Sequence, residues 1–171
     1  EGSVTANVES WDNSSWTEIA NVNTARRGLG ASASGTATAS IVFGGIKATG
    51  TGDVITEEWN GTSWTEVGDL NQGRMLIGGG GNAEAAIAMG GDVSGGGSGF
   101  NQTEIWNGTG WTEVNNLGTA RYGGGSAGSS TAALYISGSN DTGLLAVVEE
   151  WDGTSWTEVA DVTAKRKTNG A

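Results

Sequence analysis

The sequence predicts an all-β protein built from tiled, four-stranded antiparallel units, and three observations carry that prediction. A phrase of the form Trp-(Asp/Asn)-x-x-x-Trp-Thr-Glu occurs four times, its first tryptophan at Trp11, Trp59, Trp106 and Trp151, so that it advances by 48, 47 and 45 residues. All eight tryptophans of the 171-residue chain fall at the two positions of this phrase, the second set being Trp16, Trp64, Trp111 and Trp156. Between the two stand Asn60-Gly61, Asn107-Gly108 or Asp152-Gly153, the strongest short signal for a hairpin turn. A period of this length belongs to propeller-type repeats rather than to helical solenoids.

The elements follow in order. Residues 1–22 supply only a third and a fourth strand. Residues 23–67, 68–114 and 115–159 are three complete four-stranded units, and residues 160–171 begin a further one. In the best copy the runs are 28–34, 40–45, 54–59 and 63–67. The last three are rich in Ile, Val, Phe, Thr and Trp, as strands are. The first is built of Gly, Ala, Ser and Leu, weak for a lone strand but suited to a crowded central axis. Asn-Gly suits a type I′ turn, which needs positive φ at both central residues, and the outer hairpin loop is expected to hold either two residues or four. Strand parity then places Glu57, Trp59, Trp64 and Glu66 on one face, and the tryptophans are expected to be buried between neighbouring units.

Two charged residues keep the same phase. An arginine stands ten residues after each second tryptophan (Arg26, Arg74, Arg121, Arg166), and a glutamate two before each first one (Glu9, Glu57, Glu104, Glu149). Four equivalent copies point to structure rather than to an active site, which breaks symmetry. Arg74 and Arg121 are expected to pair with glutamates of the motif, at least one pair spanning adjacent units.

These marks resemble the kelch repeat. Gly44-Gly45 closes the second strand, Glu57-x-Trp59-Asn60 lies in the third, Trp64 opens the fourth, and Arg74 follows before the next unit. The chain departs from the kelch pattern in carrying tryptophan where tyrosine is usual, and in Ser137-Gly138 where a glycine pair is expected. The Trp-Asn-Gly-Thr-Ser-Trp variant is also similar to repeats of marine bacterial and bacteriophage surface proteins. The resemblance implies a kelch-like β-propeller of four-stranded antiparallel blades, three complete, with partial blades at both ends. Propellers close with about four to eight blades. Further blades, from a longer chain or a second copy, are therefore needed to close the ring, and a longer chain is the expected source.

Composition excludes several roles. The formal charge is −11, from 19 acidic and 8 basic residues, and the only basic cluster is Lys165-Arg166-Lys167. Nucleic acid, which needs clustered cations, is not an expected partner. No apolar run is long enough for membrane insertion. The chain has no cysteine and no histidine, and no metal, cofactor or catalytic residue is assigned. The galactose oxidase family, on a kelch-like scaffold, holds copper with histidine and tyrosine and a cysteine cross-link. Tyr122 and Tyr135 are the only such groups present. The enzymatic alternative is thus part of a carbohydrate-active enzyme whose catalytic residues lie outside this chain.

The Gly78–Gly81 run and the glycines at 95–97 lack the Lys-Ser/Thr of a phosphate loop. Asn13, Asn60, Asn101, Asn107 and Asn140 head N-x-Ser/Thr sequons. Asp152 replaces asparagine in the last hairpin, which suits turn chemistry rather than glycosylation. Segments 46–53, 92–101 and 139–146, between second and third strands, vary in length and composition while the hairpins stay uniform. In a meandering unit they emerge opposite the Asn-Gly hairpins. Function gathers on loops held by a rigid scaffold, so this face is the expected binding surface, with Asp92, Phe100, Asn101, Asn140 and Asp141 as contacts. The expected role is a non-enzymatic recognition or structural module, extracellular, at a cell surface or on a virion, meeting a glycan or a protein surface with basic patches.

Overall fold

The computed structural model describes residues 3–48, 50–94 and 96–167, and no helix occurs among them. The strands are β1 (Glu9–Trp11), β2 (Trp16–Glu18), β3 (Gly30–Ala31), β4 (Ser40–Phe43), β5 (Thr56–Trp59), β6 (Trp64–Glu66), β7 (Gly78–Gly81), β8 (Ala86–Met89), β9 (Thr103–Trp106), β10 (Trp111–Glu113), β11 (Gly125–Ser129), β12 (Ala132–Ile136), β13 (Ser139–Asn140), β14 (Gly143–Leu144), β15 (Val148–Trp151) and β16 (Trp156–Val159). They form three antiparallel four-stranded sheets, β3-β4-β5-β6, β7-β8-β9-β10 and β11-β12-β15-β16. Two hairpins complete the set: β1-β2, which is the outer pair of the N-terminal unit, and β13-β14, an insertion in the third unit that the sequence did not predict. The arrangement is propeller-like, and among the described residues no ring closes. Residues 160–167 contain no strand. The remainder of the expected further unit, 168–171, lies outside the described residues.

Each first strand is short of side chains because it runs against its neighbour's backbone. A Cβ on Gly79 would lie 2.2 Å from the Ala31 carbonyl oxygen, so only glycine fits. Instead Ser126 Oγ donates to Gly79 O at 2.9 Å and accepts from Gly79 N at 3.1 Å. The second strands alternate. Ile41 and Phe43 of β4 meet Ala86 and Ala88 of β8 with Trp106 and Trp111, whereas Ile87 and Met89 meet Ala133 and Tyr135 of β12 with Trp151. These two clusters are the core, and they lie between sheets.

The two tryptophans of a unit sit opposite each other in register, as Trp59 and Trp64 do, but have different partners. The first donates to the inner loop of its own unit: Trp59 Nε1 to Ala37 O, Trp106 to Ala83 O and Trp151 to Ser130 O, at 3.0, 2.9 and 2.9 Å. The second reaches back one unit: Trp64 Nε1 to Ala20 O, Trp111 to Thr56 Oγ1 and Trp156 to Thr103 Oγ1, at 3.0, 3.0 and 2.9 Å. This rule explains two exceptions to the expected burial. Trp11 and Trp16 are 48% and 65% exposed, since among the described residues the first has no inner loop beside it and the second no preceding sheet. A cleft of about 320 Å³ opens next to β1, against Val42 and Trp59, where the other units carry their first two strands.

Other expectations are corrected in detail. Of the two loop lengths left open for the outer hairpin, the structure takes the longer, without the two positive φ values of a type I′ turn. Its loop holds four residues, Asn60 accepts at Oδ1 from the amides of Thr62 and Ser63, and only Gly61 has positive φ, at 91°. In the first copy Asn13 takes that conformation, φ 78°, and Asp12 makes the capping bonds. The lone carboxylates there, Asp12 and Asp152, are held below the ordinary range chiefly by those backbone amides. At the second-strand corner Gly44 and Gly45 have φ 63° and 96°, and Ser137 adopts φ 60° in the third copy, with its hydroxyl buried and unpartnered.

Candidate functional site

Two connections meet on one side of each unit, and equivalent backbone bonds lock them together. Arg74 N donates to Asp53 O at 3.1 Å, and Gly45 N to Arg74 O at 2.8 Å. Arg121 N donates to Phe100 O at 3.1 Å, and Gly91 N to Arg121 O at 3.0 Å. The main chain of each arginine is therefore clamped to the preceding unit, while its side chain enters its own. Arg74 donates to Gly90 O, Gln102 O and Glu104 Oε1, the last at 2.8 Å; Arg26 does the same to Gly44 O, Ile55 O and Glu57 Oε1. Arg121 pairs with Glu149 and lies 4.6 Å from the Tyr135 ring centre. All three ion pairs are buried. None spans adjacent units as expected; the span is made by the backbone. Burial lowers the Arg74 guanidinium from its ordinary value against the opposing pull of Glu104. The same competition acts on the Arg26 guanidinium, lowered by burial against the opposing pull of Glu57. The glutamates' other oxygens order the preceding turn: Glu57 Oε2 accepts from Asn23 N and Nδ2, and Glu104 Oε2 from Asn71 N and Nδ2.

The variable segments are thus carried on a clamped base, on the same side as the inter-unit connections. Ile46 pairs with Arg27, Asp92 with Met75 and Ser139 with Tyr122. Neighbouring segments also touch, Gly52 N donating to Val93 O at 2.7 Å.

Of the five side chains expected to make contacts, the structure leaves one fully outward. Asp92 is buried and accepts from Gly96 N and Gly97 N at 2.8 and 2.9 Å, so it shapes its own loop. Asn101 donates to Leu117 O, Phe100 is half-buried beside Arg121, and Asn140 caps the β13-β14 turn through Thr142. Asp141, at the tip of that turn, is exposed.

Sequence reasoning misses the apolar members of this face. Val93 and Leu144 are 38% and 47% exposed, and on segment 46–53 Lys47 forms an ion pair with Asp53 at 2.6 Å. Burial pushes the Asp53 carboxyl up, but the Lys47 ammonium and the Val54 and Ile55 amides outweigh it and hold it low.

It also misses the axis. A groove of about 850 Å³ runs between the first strands, lined by Leu29, Ser32, Met75, Leu76, Gly123 and Ser126 among others. Its volume lies within the range of small-molecule sites. Arg27 and Met75 join this groove to the variable segments through the pairings above. The signal present in the sequence is the run of small residues in each first strand, which by itself says only that strands pack closely. Among the described residues no three Asp or Glu side chains converge as a metal-binding group.

No family model matches the chain, and no curated protein matches it. Among solved structures the chain is similar to that of YjhT, with a TM-score of 0.70 and 16% sequence identity over 90% of this chain. It spans 51% of YjhT's length. At that identity the likeness concerns the fold alone.

Proposed function

We propose that this chain is a non-enzymatic recognition module, part of a kelch-like β-propeller at a cell or virion surface, and that it works through the face bearing residues 46–53, 92–101 and 139–146. One observation carries the reading. Three segments of unlike sequence stand on one repeated backbone clamp, as recognition loops stand on a rigid scaffold. Their exposed groups, Lys47, Val93, Asp141 and Leu144, mix charge with small apolar side chains. Such a surface suits polar ligands with apolar faces, glycans foremost, and the net charge of −11 disfavours anionic ones.

The test is binding to a panel of immobilised neutral glycans and of basic proteins, before and after combining Val93→Ser, Asp141→Lys and Leu144→Ser. These exposed substitutions leave the clamp intact, and binding is expected to fall. Unchanged binding, or a partner displaced instead by substitutions in the hairpins at Thr62, Thr109 and Thr154, overturns the assignment of the face.

A further inference from the structure

We propose that two copies of this chain associate head to tail, the β1-β2 hairpin of one seated on the β11-β12-β15-β16 sheet of the other. Each contact between consecutive units inside the chain uses one repeated set of groups, and the two outermost surfaces carry complementary halves of that set.

The hairpin brings Glu9 and Trp16. Glu57, Glu104 and Glu149 each meet an arginine, whereas Glu9 is exposed and has no cation beside it among the described residues. Trp16, whose counterparts donate backward into the preceding unit, is the most exposed tryptophan.

The third sheet brings the matching arginine. Gly138 N donates to Arg166 O at 2.9 Å, just as Gly45 and Gly91 donate to Arg74 and Arg121. Arg166 is therefore clamped where the side chain of a repeat arginine enters the next unit. It is exposed, its side chain donates to its own neighbour Ala164 O, and no carboxylate pairs with it among the described residues.

The tryptophan acceptor matches as well, and in a specific way. Two kinds of acceptor exist in the chain. Trp111 and Trp156 donate to threonines, Thr56 and Thr103, that directly precede the motif glutamate. In the N-terminal unit that residue is Val8, and Trp64 turns instead to the carbonyl of Ala20, four residues after Trp16. The third unit repeats the second arrangement. Val148 precedes Glu149, and Ala160 stands four residues after Trp156. Trp16 of one copy thus finds on the other the carbonyl that Trp64 uses.

The landing surface is apolar. Leu134 and Ile136 occupy on β12 the places that Ile87 and Met89 hold on β8, but they are only half-buried, and Val159 is 37% exposed. A head-to-tail contact closes a ring when its rotation returns to the start. Two copies, each with three sheets and a hairpin, fit within the four to eight blades of propellers.

Sedimentation of the 171-residue chain measures its mass in solution. The expected result is a dimer, weakened about tenfold or more by Glu9→Arg or Arg166→Glu alone, the loss of one well-placed interfacial group. Each single variant sets like charges against each other in both contacts. Mixing the two sets the reversed charge at position 9 of one chain against the reversed charge at position 166 of the other, and the second contact keeps the original Glu9–Arg166 pair. The mixture is therefore expected to restore the dimer. Both positions are exposed, so folding is not at stake, and the restored mixture is itself a control for it. A monomer at all concentrations overturns the proposal. So does a dimer indifferent to both charge reversals, or single-variant losses that mixing fails to repair.

Discussion

The indole of Trp111 donates its N–H to the hydroxyl of Thr56 across the gap between two sheets, at 3.0 Å, with both residues buried. The same ring meets Phe43 edge-on at 4.8 Å between centres. One side chain therefore joins two units through an apolar contact and a directional one.

Thr56→Val keeps the shape and removes the acceptor. The Trp111 N–H is then buried without a partner, which costs about 1–3 kcal/mol. Urea unfolding should show a lower midpoint with an unchanged slope. A variant as stable as the parent would mean that Trp111 finds another acceptor, as Trp64 does at Ala20.

Arg74→Met leaves Glu104 charged and buried, and Glu104→Leu leaves Arg74 in the same state. Each should cost about 3–5 kcal/mol. The double variant Arg74→Met/Glu104→Leu should cost less than either single change, because it removes both desolvated charges. A chemical-denaturation double-mutant cycle reads the coupling directly.

Gly118 stands where the first two units have Asn23 and Asn71, and there the asparagine bridges the buried glutamate to a tryptophan carbonyl. In the third unit position 118 offers Glu149 its main-chain amide alone, with no side chain to make the bridge. Gly118→Asn should restore the bridge to Glu149 and the Trp156 carbonyl and stabilise the chain by about 1 kcal/mol. A Cβ at that position would lie 3.3 Å from Glu149 Oε2, so the carboxylate must shift slightly. Thermal unfolding that moves downward instead would show that it does not.

Asp12, Asp53 and Asp152 are all held below the ordinary carboxyl value of 3.8. A lowered folded value means that the charged form is favoured by folding. The contribution is therefore fully present above the ordinary value and is lost as pH falls through the lower, folded one. Melting temperature should drop as pH falls below the ordinary value toward and through the folded one, and Asp53→Asn should flatten the drop. Asp152→Asn should keep its turn, since Asn60 and Asn107 cap the same turn. An acid limb unchanged by both substitutions would place the sensitivity elsewhere.

The residue types determined the repeat by themselves. Regularly spaced tryptophans demand burial in an otherwise small-residue chain, Gly44-Gly45 permits positive φ, and alternation along a strand fixes which residues share a face. Those constraints act within about one unit, so they were legible as sequence. The tertiary structure alone decided who meets whom. Parity places Glu104 on a face but does not say that Arg74 belongs to the same unit. Composition marked Asp92 as an acidic loop residue, yet folding turned it inward onto two glycine amides. Trp11 and Trp16 read like the other six, and only their neighbours distinguish them. The axial groove is written in no single segment, because it is the space left when three first strands of small residues line one axis.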